Sequence, residues 1–229
     1  MFELAVHGPF YNKINQLLNI NTPEFYLSFQ DDPVLADRIN HVGQMIDDPD
    51  DLVALASFSL VEGVILYSSF AFLMHFQAQG KNKLLNVNRG ILFSLKDENL
   101  HSVAGAWCFK RLLQKRGVTT EQLARIEEKV RETARTIVEH ERQIINMMFE
   151  KGKIEGITAH QLDNFVQSRT NRCLAELGFK KEYEVTYDPI SSWFYKAIND
   201  YSFNDFFSGL GSQYNREWTE TDFTWSTND

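Results

Sequence analysis

The chain has 229 residues, 43% of them apolar and 24% charged, with a formal net charge of −8; this suits one domain, or one domain with a tail, that folds without disulfide staples. The acidic balance excludes non-specific nucleic-acid binding, which needs a basic footprint. The start, MFELAVHGPFYNKIN, has no charged region followed by an apolar one, and no run of about 18 consecutive apolar residues is read, so neither a secretory signal nor a membrane span is expected and the expected location is cytoplasmic.

Of the 5 prolines, none lies between Asp50 and Asp188, which favours helix over that stretch. From Glu3 to Ile20 the apolar positions Val6, Phe10, Ile14, Leu17 and Leu18 recur at helical spacing. Gly8-Pro9 either starts that helix or kinks it. Asn21-Thr22-Pro23 and Asp32-Pro33 are stop-and-start signals, with short helical pieces between Phe25 and Gln44. Asp47-Asp48-Pro49-Asp50-Asp51 opens a helix with acids in its first turn. Leu52 to Gln79 then reads as one apolar helix, of the kind that sits inside a bundle. After a turn at Gly80–Lys83, a long helix is expected from Leu84 to Arg116.

Thr119 or Thr120 caps the next helix, which runs through Met148 and Phe149 with a charged outer face from Glu121 to Arg142. Thr158 opens a further helix ending at Leu177-Gly178, and Pro189 begins a short aromatic one ending near Asn199-Asp200. The 18 phenylalanines predict an aromatic core; Trp107 and Phe109 are at core spacing. Cys108 and Cys173 read as buried thiols of a reducing compartment. His75 and His140 lack an acid at ligand spacing, and His41 and His160 sit near segment ends. No β alternation is present. The expected fold is all-α, with residues 1–208 as a helical bundle and 209–229 as a flexible tail.

Two features carry chemistry. Glu62 is a lone carboxylate in an apolar helix, which is costly unless it is paired or bound to a metal. Glu98 and His101, three residues apart on a later helix, share a face and can bind one ion; carboxylate with imidazole suits iron or manganese. A helix carboxylate followed by Glu-x-x-His is half of the di-metal carboxylate bundle design.

These residues have company. Ser69-Phe70 follows Glu62, and Lys96-Asp97-Glu98-Asn99-Leu100-His101 matches an Arg-Asp-Glu-x-x-His signature apart from its lysine. NRCLAELGF (Asn171 to Phe179), Asp188-Pro189-Ile190, Asn204-Asp205-Phe206-Phe207-Ser208-Gly209 and Gly211-Ser212-Gln213-Tyr214 come in order after them. In this set the sequence resembles the small, radical-generating subunit of class I ribonucleotide reductase. The resemblance implies a ferritin-like helical bundle, with or without its first bundle helix, and a dinuclear iron or manganese (or mixed) centre. Glu62, Glu98 and His101 would ligate one metal. Asp97 would orient a ligand imidazole and lie on the radical path. Tyr214 would relay the radical to the large subunit, on which the tail anchors Trp218, Phe223 and Trp225 would dock.

The front half departs from the family pattern. There the first Glu-x-x-His is followed, four residues after its histidine, by the radical tyrosine. His7 and Tyr11 keep that spacing, but the glutamate slot holds Leu4. The nearest acid, Glu3, can share a helix face with His7. No carboxylate is available from a helix before Met1, so the resemblance implies a chain short at its N-terminus.

Three functions are therefore weighed. In the first, the chain is the small subunit of ribonucleoside-diphosphate reductase, a homodimer that passes an oxidising equivalent to the large subunit for deoxyribonucleotide synthesis. In the second it is a truncated or split piece of that subunit, active only with a partner such as a separate N-terminal fragment. The third is a ferritin-like di-metal oxidase acting directly on a small substrate.

Overall fold

The computed structural model describes the backbone of residues 2–197 and the side chains of residues 7–197. In chain order the helices are α1 (Phe2–Leu17), α2 (Pro23–Leu27), α3 (Pro33–Ile46), α4 (Asp51–Val64), α5 (Tyr67–Met74), α6 (Leu85–Arg116), α7 (Thr120–Phe149) and α8 (Ala159–Leu177). Among the described residues the one β feature is an isolated bridge between Ile154 and Ile157, so the all-α expectation holds.

The boundaries follow local chemistry. Thr22, Asp32 and Asp50 accept hydrogen bonds from amides of the first turns of α2, α3 and α4, and Pro23 and Pro33 occupy the first helical positions, where no N–H is needed. Of the two candidate threonines, Thr119 caps α7, forming a reciprocal box with Gln122; Thr158 and Gln161 do the same for α8. Gly178 ends α8 in the left-handed region at φ 95°, where a glycine carries no steric cost. Helix α1 begins before Pro9 and continues past it, losing one backbone hydrogen bond.

The apolar stretch departs from expectation. Instead of one helix from Leu52 to Gln79, the chain breaks after Val64. Ile65 is extended at ψ 140° and Leu66 takes a left-handed φ of 73° before α5 begins. A leucine there costs of order 1–3 kcal/mol. The compensation is distant in sequence. The amide of Ser68, in the first turn of α5, donates to Glu141 Oε2 of α7 at 3.2 Å, and that fully buried carboxylate is ion-paired with Arg38 of α3. A carboxylate at a helix N-terminus satisfies a donor that has no partner within the helix.

By length and composition alone the stretch Asp51–Gly80 is apolar enough to cross a membrane, as the core helix of a bundle also can be. In the fold it is split in two, and α4 is the central element, packed against α6, α7 and α8. Leu60, Val64, Tyr67, Ile91, Leu95, Phe109, Ile137, Phe165 and Leu174 form the core around it. From residue 189 a helical segment brings Ile190 and Phe194 into this core, with the Phe194 ring 4.7 Å from that of Phe165.

Three expectations are corrected. Trp107 is 61% exposed, with the Arg111 guanidinium 5.9 Å from its ring, because it lies on the outer side of α6 while Phe109 points inward. Cys108 is only half-buried, unlike Cys173. Glu141 falls within the charged face of α7 and yet is fully buried, for the reason just given. The compact unit of the bundle extends to Phe194; the expected boundary at 208/209 and the tail lie outside the described residues.

Candidate metal centre

Glu62, near the end of α4, meets Glu98 and His101 of α6. His101 Nδ1 lies 3.1 Å from Glu62 Oε2 and 3.3 Å from Glu98 Oε2. One ligand atom from each residue falls within 4.8 Å of the others. All three are half-buried. Two carboxylates held this close repel one another, and a cation relieves the repulsion. Hard carboxylate oxygens with one imidazole nitrogen are a donor set for iron or manganese, so the residues present fit such an ion.

Helix positions explain the convergence. Glu98 and His101 are three apart and share one face of α6. Gly63, beside Glu62, is where α4 closes on its neighbours. A Cβ there would lie 2.4 Å from Ser102 Oγ and 2.5 Å from Cys173 Sγ. Its carbonyl accepts from Arg169 Nε of α8 at 2.6 Å. The fully buried Arg169 also donates to the Asn99 side chain and to the Tyr67 hydroxyl, both at 3.1 Å. It lies over the Tyr67 ring at 4.4 Å. One guanidinium thus ties together the backbone next to Glu62, the residue next to Glu98 and the first residue of α5. The sequence reading missed it, because a single arginine in a helix carries no local signal of burial.

The second group lies between α1 and α6. His7 Nε2 is 2.9 Å from Asp97 Oδ2, and His7 Nδ1 is 3.2 Å from Ser94 Oγ. The same serine oxygen is 3.0 Å from the Tyr11 hydroxyl. Asp97 accepts from His7 and fixes its ring orientation, as carboxylates do for ligand imidazoles. Burial pushes the Tyr11 phenol above its ordinary range; the Ser94 hydrogen bond opposes this and the charge of Glu98 adds to it. A cavity of about 480 Å³ opens beside these groups, lined by His7, Tyr11, Leu66, Phe70, Ser94 and Glu98 among others.

Close approach of α1 depends on Gly90. A Cβ at that position would sit 2.0 Å from the Phe10 ring. Gly90→Ala is therefore expected to push α1 off α6 and destabilise the fold by about 1–3 kcal/mol, the usual range for overpacking, as thermal melting would show. A melting temperature equal to that of the parent would mean that Phe10 does not dock there.

The structure brings Glu62, Glu98 and His101 into one cluster, and His7, Tyr11 and Asp97 into a hydrogen-bonded group linked by Ser94. Among the described residues His7 belongs to no three-ligand cluster. The Glu3 side chain, Tyr214, Trp218, Phe223 and Trp225 lie outside the described residues. A different cluster, Asp37, His41 and His140, was not foreseen, because His140 meets the other two only through the fold.

The family model described as "Ribonucleotide reductase, small chain" matches residues 1–189. The "Probable ribonucleoside-diphosphate reductase small subunit 048L" of Invertebrate iridescent virus 3 is 30% identical over 174 residues, which are 76% of this chain and 45% of the relative. The chain spans less than half the length of the curated relatives it matches. Among solved structures, the ribonucleotide reductase R2 subunit from Clostridium botulinum superimposes with a TM-score of 0.69 at 23% identity, over 86% of this chain and 63% of that one. The dimanganese(II) NrdF of Streptococcus sanguinis gives 0.70 at 19% identity, over 83% and 66%.

Proposed function

We propose, for a chain that belongs to the ribonucleotide reductase small-chain family and has its ferritin-like bundle fold, that it serves as the radical-generating partner in ribonucleoside-diphosphate reduction. The observation that carries this reading is the Glu62–Glu98–His101 cluster with the His7–Ser94–Tyr11 group beside it. Glu62, Glu98 and His101 would hold one metal, with His7, and Glu3 of α1, on the side of a second. When bound, a dinuclear iron or manganese centre supplies one-electron oxidising chemistry. The chain's own residues do the rest. Asp97 holds the His7 ring, Tyr11 is the oxidisable side chain nearest the cluster on α1, and Ser94 offers the phenol proton an acceptor at 3.0 Å. The oxidising equivalent would pass by Asp97 and Tyr214 to the large subunit, with Trp218, Phe223 and Trp225 as docking anchors.

Self-association as a homodimer is part of this reading. Leu100, Val103 and Trp107 form an exposed apolar strip on α6; strips of this kind mark interaction surfaces. The test is reconstitution with iron or manganese, metal analysis, and assay of ribonucleoside-diphosphate reduction after adding the large subunit. At least one metal per chain and a tyrosyl radical signal lost in Tyr11→Phe are expected. Fewer than one metal per chain, with no reduction, overturns the proposal.

A second reading is favoured by one observation: both ring nitrogens of His7 are engaged, by Asp97 and Ser94. In it, the chain works only with a companion chain that contributes further carboxylates. Light scattering separates the two. The first reading expects a well-behaved dimer, and the second expects the isolated chain to aggregate or to require its companion.

A further inference from the structure

The seam between α3 and α7 holds ligand-type side chains that the proposed function does not use. Asp37 and His41 are one turn apart on α3, with Asp37 Oδ1 3.9 Å from His41 Nδ1. His140 of α7 faces them, its ring centroid 4.8 Å from that of His41 at an interplanar angle of 72°. One ligand atom from each of the three lies within 4.8 Å of the others. None of these residues touches the Glu62 cluster in any contact described above.

We propose that Asp37, His41 and His140 form a second, separate binding site for a divalent transition-metal ion of the zinc class, one that ties α3 to α7. Two imidazoles and a carboxylate are the ligand set of open zinc sites, in which water or another ligand takes the fourth position. Spacing of i,i+4 on one helix with a third ligand from a facing helix lets one ion bridge two elements.

The surroundings of His140 suit this use. Metal needs the neutral imidazole. Burial, the neighbouring His41 and the Arg38 charge all push the His140 pKa below its ordinary value, against smaller opposing effects from Asp37 and Glu139. The positive charge of Arg38 is itself offset by its buried partner Glu141, so it does not leave the seam strongly cationic. His41 Nδ1 donates to the Asp37 carbonyl at 2.8 Å. An ion can take Nε2, or take Nδ1 in exchange for that bond. Both Asp37 and His41 reach the surface, which gives the ion an entry path.

The fold supplies a reason for such a staple. Helix α3 has no fully buried residue of its own, yet it carries Arg38, whose ion pair with Glu141 supports the start of α5. An ion at Asp37, His41 and His140 would fasten α3 one turn from Arg38, and so hold in place the pair that supports the α4–α5 break.

The experiment uses the full-length chain carrying Glu98→Ala, which disables the other cluster. Zinc is titrated calorimetrically and melting is followed with and without the ion; cobalt(II) serves as a spectroscopic probe. One bound zinc per chain is expected, with a melting temperature that rises with zinc concentration and cobalt bands of a low-coordinate nitrogen and oxygen site. His41→Gln and Asp37→Asn, each added to that background, are expected to weaken zinc binding at least about 10-fold, since even outer partners of metal ligands are worth that much. Their melting without zinc should stay near that of the parent. Should His41→Gln melt early without zinc, the mostly exposed Asp37 decides through Asp37→Asn. Zinc affinity unchanged in both variants, or no zinc bound by the parent, overturns the proposal.

Discussion

Replacing Glu98 with alanine is expected to lower iron or manganese affinity at the cluster by at least about 100-fold, because even outer partners of metal ligands are worth about 10- to 100-fold. Glu98 has the least exposed side chain of the three, at 17%. It is within reach of His101, and its charge is felt at Tyr11. Alanine is the best helix former, so α6 should keep its helix and the loss will report ligation rather than unfolding. Asp97→Asn, which keeps a hydrogen-bonding group beside His7 but removes its charge, should cost less, about 10- to 100-fold. Metal content after gel filtration checks both, with circular dichroism to confirm the fold. The same Glu98→Ala variant makes a second expectation. The negative charge of Glu98 raises the Tyr11 pKa by disfavouring the phenolate, so its removal should let Tyr11 ionise at lower pH than in the parent. Ultraviolet titration against a Tyr11→Phe control reads that shift. Full metal content in Glu98→Ala would mean that this cluster is not the metal centre.

The cluster was legible in the sequence for a physical reason: each of its signals is local. Glu62 stands out because every neighbour in its helix is apolar or small, and Glu98 with His101 because three residues on a helix define one face. The helix boundaries were legible likewise, since Thr119, Thr158, Asp32 and Asp50 bond to amides two or three residues away. The break at Leu66 was not. Neither Gly nor Pro stands at Ile65 or Leu66, and the contact that supports α5 comes from Glu141, 73 residues later. Arg169 was hidden in the same way, since its partners Gly63 and Asn99 lie 106 and 70 residues away. His140 looked like an isolated histidine because its neighbours Asp37 and His41 belong to a helix that packs on α7 only in the folded chain. Trp107 shows the converse error. Helical spacing says which residues share a face, but not which face a partner will cover.

Glu141→Gln is expected to be the most destabilising substitution away from the proposed metal centre. The Glu141 side chain is fully buried and that of Arg38 nearly so, and removing one charge leaves the other desolvated without compensation. Breaking a buried pair in this way costs about 3–5 kcal/mol. For a chain of this size, at about 2–4 °C per kcal/mol, the melting temperature should fall by roughly 6–20 °C. The pair has a second duty that separates it from an ordinary buried ion pair: Glu141 Oε2 accepts from the Ser68 amide. A double variant, Arg38→Met with Glu141→Met, removes both charges and replaces them with apolar volume, which by itself is often neutral or stabilising. It still leaves the Ser68 N–H without its acceptor, at about 1–3 kcal/mol. The expected order of stability is therefore parent, then the double variant, then Glu141→Gln, with faster amide exchange at Ser68 in the double variant than in the parent. Equal stability of parent and double variant, with unchanged exchange, would show that the α4–α5 break does not need its carboxylate. Because Leu66 and Phe70 line the cavity beside Tyr11 and Glu98, loosening the start of α5 should also weaken metal binding. Such coupling would make Arg38 and Glu141 part of what keeps the proposed centre in shape.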